Sequence, residues 1–371
     1  MEDESMKKSI CIISAAVLLG GLLLGGCTKN PFSRKGELIT FGTVSSGSQT
    51  RAVYGADYPA EGAPTHQRID WESGDILRIV SDNATVANNG SNLKYADYTV
   101  TAANQEADGT SAAVVNTNPN GLTWTGASSY NFWAVYPSTT DIDGAGVVTA
   151  NFIEATQTLP STSTEKTVGT GDSAIKYTVY TPALTNAVMT AVAAGVKEND
   201  EKPQVKLHFK PAWTAIEFNL SSLDEDIEVT QVQLIADAEN NSDYLAGPFT
   251  MTAGDLTSVA VTKASASKSV TMAMNSTITT TAGISFTMFL LPVPNASALK
   301  LRLTSTEGEN ATKTSYVRLT KNGEPFVFEA GKKYRINGFK APGSSWKIYI
   351  ATDIMNVEDW GDPIDTTLIV E

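Results

Sequence analysis

The chain has 371 residues, 42% of them hydrophobic and 8% aromatic, with a formal net charge of −13. That length suits two domains of about 150 residues each. The acidic balance, with no basic cluster longer than Ser33-Arg34-Lys35, sets the protein against a phosphate backbone, so nucleic acid is not expected as a partner.

In chain order, the first element is an export signal. A lysine-bearing start, MKKS from Met6, leads into an apolar run from Ile10 to Leu24, preceded by an acidic Met1–Ser5 that reads as an over-extended start. Such a run spans only about 22 Å as a helix against a hydrocarbon core of about 30 Å, so it reads as a cleaved signal rather than a membrane anchor. It ends in Leu24-Gly25-Gly26-Cys27, which resembles a bacterial lipobox; Cys27 would become the lipidated first residue. The other cysteine, Cys11, lies inside the signal. No thiol is then left for a disulfide, a nucleophile or a cysteine-based metal site.

Next comes ELITFGTV, in which Leu38, Thr40 and Val44 alternate with Ile39, Phe41 and Thr43, the pattern of a sheet strand. Ser45 to Thr50 are small and polar, a protease-accessible loop. It is followed by Arg51, the only charged residue between Glu37 and Asp57, and then Ala52. Residues 1–26 are assigned to the signal and 27–51 to a propeptide holding the first strand. Beyond it, SYNFWAVY, IKYTVY, QVKLHF, AIEFNL and LKLRLT all alternate, and SYVRLTKNGEPFVFEAG carries a hairpin turn at Asn322-Gly323. NAVMTAVAAGV fits a short helix by composition and an irregular strand by its Val188, Val192 and Val196. The charged, proline-bearing VKENDEKPQ marks a domain break near Lys202, giving units 52–202 and 203–371. An all-β fold with antiparallel sheets is expected, and no repeat of the propeller or solenoid kind is visible.

Chemistry is sparse. His66 lies in a loop context, and His208 alternates with Leu207 and Phe209 on a polar face, which leaves no imidazole-based arrangement. DIDGAG resembles the opening of a calcium loop through Asp141, Asp143 and Gly146, yet Ala145 and Phe152 stand where further ligands belong. It reads as an Asp/Gly turn, and Asp224, Glu225, Asp226 and Glu228 as a solvated loop. No metal and no cofactor are expected. Six tryptophans, Trp71, Trp124, Trp133, Trp213, Trp346 and Trp360, raise a carbohydrate-stacking alternative to core packing.

ITFGT…TRAVYG, RIDWESGDILRIVSD, NFWAVYPS, VKLHFKPAWTAIEFNL, FLLPVP, FVFEAGKKYRINGFKAP and VEDWGDPIDTTLIVE follow one another along nearly the whole chain. In that order they resemble the fimbrillins, pilins of type V pili. The resemblance implies an all-β chain of two transthyretin-like β-sandwich domains in tandem, made as a lipoprotein and assembled outside the outer membrane. It also implies that the first strand is cut away after a basic residue and that the groove left behind takes a strand from a neighbouring subunit. On this chain the displaced strand would hold Leu38, Ile39, Thr40, Phe41 and Val44, and the cut would fall between Arg51 and Ala52. A cut after Arg34 or Lys35 would free the lipid but keep the strand. The donor would be the C-terminal PIDTTLIVE, whose Ile364, Thr366, Leu368 and Val370 share one face. The expected role is a structural, non-enzymatic pilin subunit serving adhesion. Its partners would be other pilin subunits, in a homopolymer or a mixed fibre, the outer membrane through a lipid anchor before processing, and a host or bacterial surface ligand. A tip adhesin and a monomeric glycan-binding surface lipoprotein are the competing roles.

Overall fold

Alternation of apolar and polar residues sets the long elements of this chain. In the computed structural model the described residues are 34–44, 53–58, 66–71, 73–87, 94–103, 112–115, 119–168, 171, 174–184, 186–198, 204–223, 225–236, 244–292, 299–307, 311–321, 324–325, 328–340, 346–350, 355–356 and 368–369. Among them there is no α-helix, and strands make up most of the structure. The all-β expectation holds.

Two large sheet systems result. The first is an eight-stranded sheet in the order 205–208, 41–44, 112–115, 95–103, 76–81, 130–136, 189–196, 210–211. Its two end strands are consecutive in the chain, separated only by Phe209, so this sheet closes on itself. Tyr130, Phe132, Ala134 and Tyr136 all point inward, as their alternation requires, and Leu77, Ile79, Tyr98 and Leu207 join them. The second system pairs a ten-stranded sheet, built around Thr214–Ser222, with a six-stranded sheet built around Ile227–Ala236. Ile216, Phe218 and Leu220 from one, and Val232, Leu234, Leu299, Leu301 and Leu303 from the other, are buried.

Several local readings resolve. Met189–Val196 is a strand, not a helix; it carries a register shift between Ala193 and Val196, with Gly195 at φ 68°. Lys321 pairs with Glu324, the spacing of a two-residue turn, although Asn322 and Gly323 themselves lie outside the described residues. Strands on both sides of Lys202 share sheets. Val205–His208 and Lys210–Pro211 belong to the first sheet, whereas Ser163–Val168 and Ile175–Tyr180 pair into the ten-stranded one. Val53–Tyr58 and His66–Asp70 also reach that sheet, through His66 opposite Asn356.

Candidate functional site

The segment GELITFGTV enters the first sheet in two steps. Gly36 donates its N–H to the Trp124 carbonyl at 2.8 Å, Trp124 donates to the Glu37 carbonyl at 3.1 Å, and Ile39 donates to the Leu122 carbonyl at 2.8 Å, with Leu38 bridged antiparallel to Thr123. Phe41–Val44 then lies between two strands remote in sequence. It runs antiparallel to Ala112–Val115, with Phe41 opposite Val114, and parallel to Val205–His208, with Phe41 opposite Val205. This strand is the stave that closes the first sheet.

Period-two alternation decides what it buries. Ile39 and Phe41 are 1% and 0% exposed, whereas Leu38 is 43% exposed and Thr40 also faces outward. The Phe41 ring meets Tyr98 edge-on at 5.1 Å and Phe132 at 5.2 Å. Behind them Trp124 packs edge-on against Tyr130 at 4.8 Å and against Phe132 at 6.1 Å. Burying two side chains of this size stabilises the seated segment by about 1.5–3 kcal/mol each before ordering costs.

At the outer end Arg34 is tied down. Its Nε bonds Glu37 Oε2 at 2.9 Å, its guanidinium lies 5.6 Å from the centre of the Trp124 ring, and its main-chain N–H donates to Glu198 Oε1. For a partly exposed side chain such contacts are worth about 1 kcal/mol, a modest bias toward the held conformation of Arg34. Cys27, Arg51, Ala52, Ile364, Thr366 and Val370 lie outside the described residues. Leu368 does not: with Ile369 it forms a short strand antiparallel to Trp346–Ile350 of its own chain, Leu368 opposite Ile350.

The remaining candidates separate cleanly. His208 is exposed on its strand, and His66 sits in the strand His66–Asp70. Asp143 Oδ1 accepts the N–H of Ala145 at 2.9 Å and of Val147 at 2.8 Å, so its carboxylate closes a turn. Gly146 completes that turn at φ 80°, where a Cβ would come within 2.5 Å of the Trp133 ring. Among the described residues no three His, Cys, Asp or Glu side chains gather to hold a metal, and no helix is long and apolar enough to cross a membrane. Trp71, Trp124, Trp213 and Trp346 are buried and Trp133 is half-buried; Trp360 lies outside the described residues.

Two features escape a reading of the sequence. One is Leu122–Trp124, whose role as partner of the first strand depends on contacts more than eighty positions away in the chain. The other is an ion cluster: Glu217 pairs through Oε2 with Lys333 Nζ and through Oε1 with Arg335 Nε at 2.7 Å, Lys333 being 4% and Arg335 14% exposed. Burial alone would push the Glu217 carboxyl up. The adjacent Lys333 and Arg335 charges outweigh it and hold the carboxyl far below the usual carboxylate range.

No family model matches the chain, and no curated protein matches it. Solved structures do resemble it. A candidate cell adhesion protein from Bacteroides uniformis is 16% identical, with a TM-score of 0.48, over 86% of this chain and 98% of its own. A fimbrial protein from Bacteroides vulgatus is 12% identical, with a TM-score of 0.42, over 77% of this chain and 92% of its own. The tip fimbrial protein Mfa3 from Porphyromonas gingivalis, solved with a C-terminal truncation, is 9% identical, with a TM-score of 0.33, over 84% of this chain and 99% of its own.

Proposed function

We propose that this protein is a non-enzymatic structural subunit of a type V fimbria, made as a lipoprotein anchored through Cys27 to the outer membrane. It is activated by a cut between Arg51 and Ala52 and assembled by strand exchange with further pilin subunits at the cell surface. The observation that carries the proposal is the seating of Phe41–Val44. An N-terminal strand of four residues lies between two strands that remain without it, and closes a sheet that would otherwise be open along that line. Losing it uncovers two rows of main-chain donors and acceptors and an aromatic hole lined by Tyr98 and Phe132. Unpaired edges and a vacated apolar slot are what an incoming strand satisfies.

The order of residues along the chain supports Arg51 as the cut. Arg34 and Lys35 precede the strand, so cleavage there would leave the slot filled, and Arg34 is also held by Glu37, Trp124 and Glu198. Arg51 follows the strand. The tail supplies apolar Ile364, Leu368 and Val370, on one face with Thr366, residues of the kind the slot takes. Trp71, Trp124, Trp213 and Trp346 are buried and so serve the core, which weakens the tryptophan argument for a glycan-binding lipoprotein. Stalk and tip roles share this fold, and the surface ligand is a separate question.

N-terminal sequencing of mature fibres tests the proposal: Ala52 is expected as first residue, and a start upstream of Leu38 would overturn it. Arg51→Ala is expected to give full-length, membrane-held monomers. Truncation of Ile364–Glu371 should give cleaved subunits that do not extend.

A further inference from the structure

The slot is longer than its central strand, and its outer half is held by two buried hydroxyls. Tyr98, 1% exposed, accepts the Leu122 N–H at 2.8 Å, so the carbonyl of that same residue is left facing Ile39. Tyr130, fully buried, accepts the N–H groups of Thr125 at 2.9 Å, Gly126 at 3.0 Å and Ala127 at 2.9 Å. Thr125 Oγ1 lies 3.3 Å from the Tyr130 hydroxyl and itself donates to the Asn83 carbonyl at 2.7 Å, so the Tyr130 proton has Thr125 Oγ1 as its acceptor. On its far edge the strip is held at Leu122–Thr123 by Thr85–Val86. Nothing in this network uses the first strand. The same two rings form part of the aromatic cluster around Phe41, so the outer strip and the inner hole are built from shared side chains.

A strip braced on the side away from the segment keeps its carbonyls aimed when the segment leaves. The Trp124 indole N–H is also buried with no hydrogen-bond partner among the described residues, a donor not yet spent beside the path of the segment. Resting on the strand-exchange reading above, we infer that Leu122–Trp124 is a second docking register of the emptied slot. In this view Tyr98 and Tyr130 are positioning residues that keep the register ready for the incoming strand of another subunit. The acceptor site then runs from the place of Gly36 to that of Val44, about 30 Å of extended chain, rather than over Phe41–Val44 alone. An entering strand is selected by two inward apolar residues two positions apart, in the places of Ile39 and Phe41, and by an outer arm able to pair with Trp124.

The test uses the full chain with a specific protease site in place of Ser45–Thr50. After cutting, N-acetylated synthetic peptides 36–44 and 38–44 compete with the nicked segment. Peptide 36–44, which adds the two main-chain bonds to Trp124 without the Arg34 contacts, is expected to compete about ten-fold better. In Tyr130→Phe, which keeps the ring but frees the backbone after Trp124, that advantage should shrink toward none while peptide 38–44 stays within about two-fold of its original affinity; Tyr98→Phe, which frees Leu122 opposite Ile39, should weaken both peptides. In the uncut chain, hydrogen exchange at Gly36 and Trp124 should quicken in Tyr130→Phe with the amides of Phe41–Val44 unchanged. Equal competition by the two peptides in the unaltered protein would overturn the inference and leave strand exchange standing. A parallel loss for both peptides in Tyr130→Phe, or no loss for either peptide in Tyr98→Phe, would reduce the tyrosines to a general structural role and overturn it too. If neither peptide competes, the slot does not exchange strands, and both readings fall together.

Discussion

Two strands occupy interior positions in their sheets and differ in almost everything else. Phe41–Val44 has four residues and partners from far along the chain on both sides, and it precedes Arg51, the site of the proposed cut, in the sequence. Thr214–Ser222 has nine, pairs with Ala282–Leu290 from Thr214 to Leu220 and with Lys332–Lys340 from Ala215 to Ser222, and is continuous with the chain at both ends. Its even positions are packed with Phe286 and Tyr334, and its odd face carries Glu217 between Lys333 and Arg335. The difference teaches how unequally two central strands are held. Under the proposed strand exchange, a short ladder with two apolar anchors is one that a replacement strand could re-form, whereas a long ladder with a charge cluster on it asks far more of any substitute.

The largest expected effect breaks the second strand. Glu217→Ala leaves Lys333 and Arg335 uncompensated and should destabilise the fold by about 3–5 kcal/mol in urea unfolding. The pH dependence sharpens this. Because the folded Glu217 carboxyl titrates below its unfolded value, its contribution is fully present above about pH 5 and is lost as pH falls through the ordinary glutamate range near 4.3 and below. Melting midpoints should therefore drop on acidification, and Glu217→Gln should start lower with a flatter curve over that window.

On the first strand, Phe41→Ala should cost about 3 kcal/mol, read as faster exchange at the amides of Ala112–Val115 and Val205–His208. Once the chain is cut after Arg51, the segment bearing Phe41→Ala should leave the slot at least about ten-fold faster than the wild-type segment. Equal rates of release would show that Phe41 does not anchor the segment. Smaller still, Gly323→Val should lower the melting midpoint by an amount equal to about 1 kcal/mol, since a two-residue turn between Lys321 and Glu324 calls for positive φ. Smallest of all, Leu38→Ala, on the exposed face of the same segment as Phe41, should stay within about 0.5 kcal/mol.

Much of this was legible in the chain itself, because a pleated strand exposes its burial pattern directly. Leu299, Leu301 and Leu303 are buried, as are Ile216, Phe218 and Leu220, and Ile39 and Phe41 turn inward while Leu38 turns out, all as period-two alternation requires. IKYTVY is a strand as expected, but Ile175, Tyr177 and Val179 are only half-buried, because its outer neighbour Ser163–Val168 is a fully exposed edge strand. NAVMTAVAAGV remained open between helix and strand because its alanines favour a helix locally, while the Tyr130–Tyr136 edge offered a ladder that composition does not reveal.

What only the tertiary structure decided is which strand lies beside which. Alternation states that Phe41 faces a core but carries no information on whose. The choice of Ala112–Val115 and Val205–His208 as its neighbours, the closing of the first sheet through Phe209, and the sharing of sheets across Lys202 are products of long-range pairing. Glu217 sits in a sequence that reads as an ordinary two-faced strand, and becomes part of a buried ion cluster only because Lys333 and Arg335 arrive on the parallel strand beside it. The physical reason is common to all of these. Local sequence sets the period and the face of a strand through the geometry of its own backbone, whereas its partners are set by closing long loops onto complementary edges, an energy that no single segment contains.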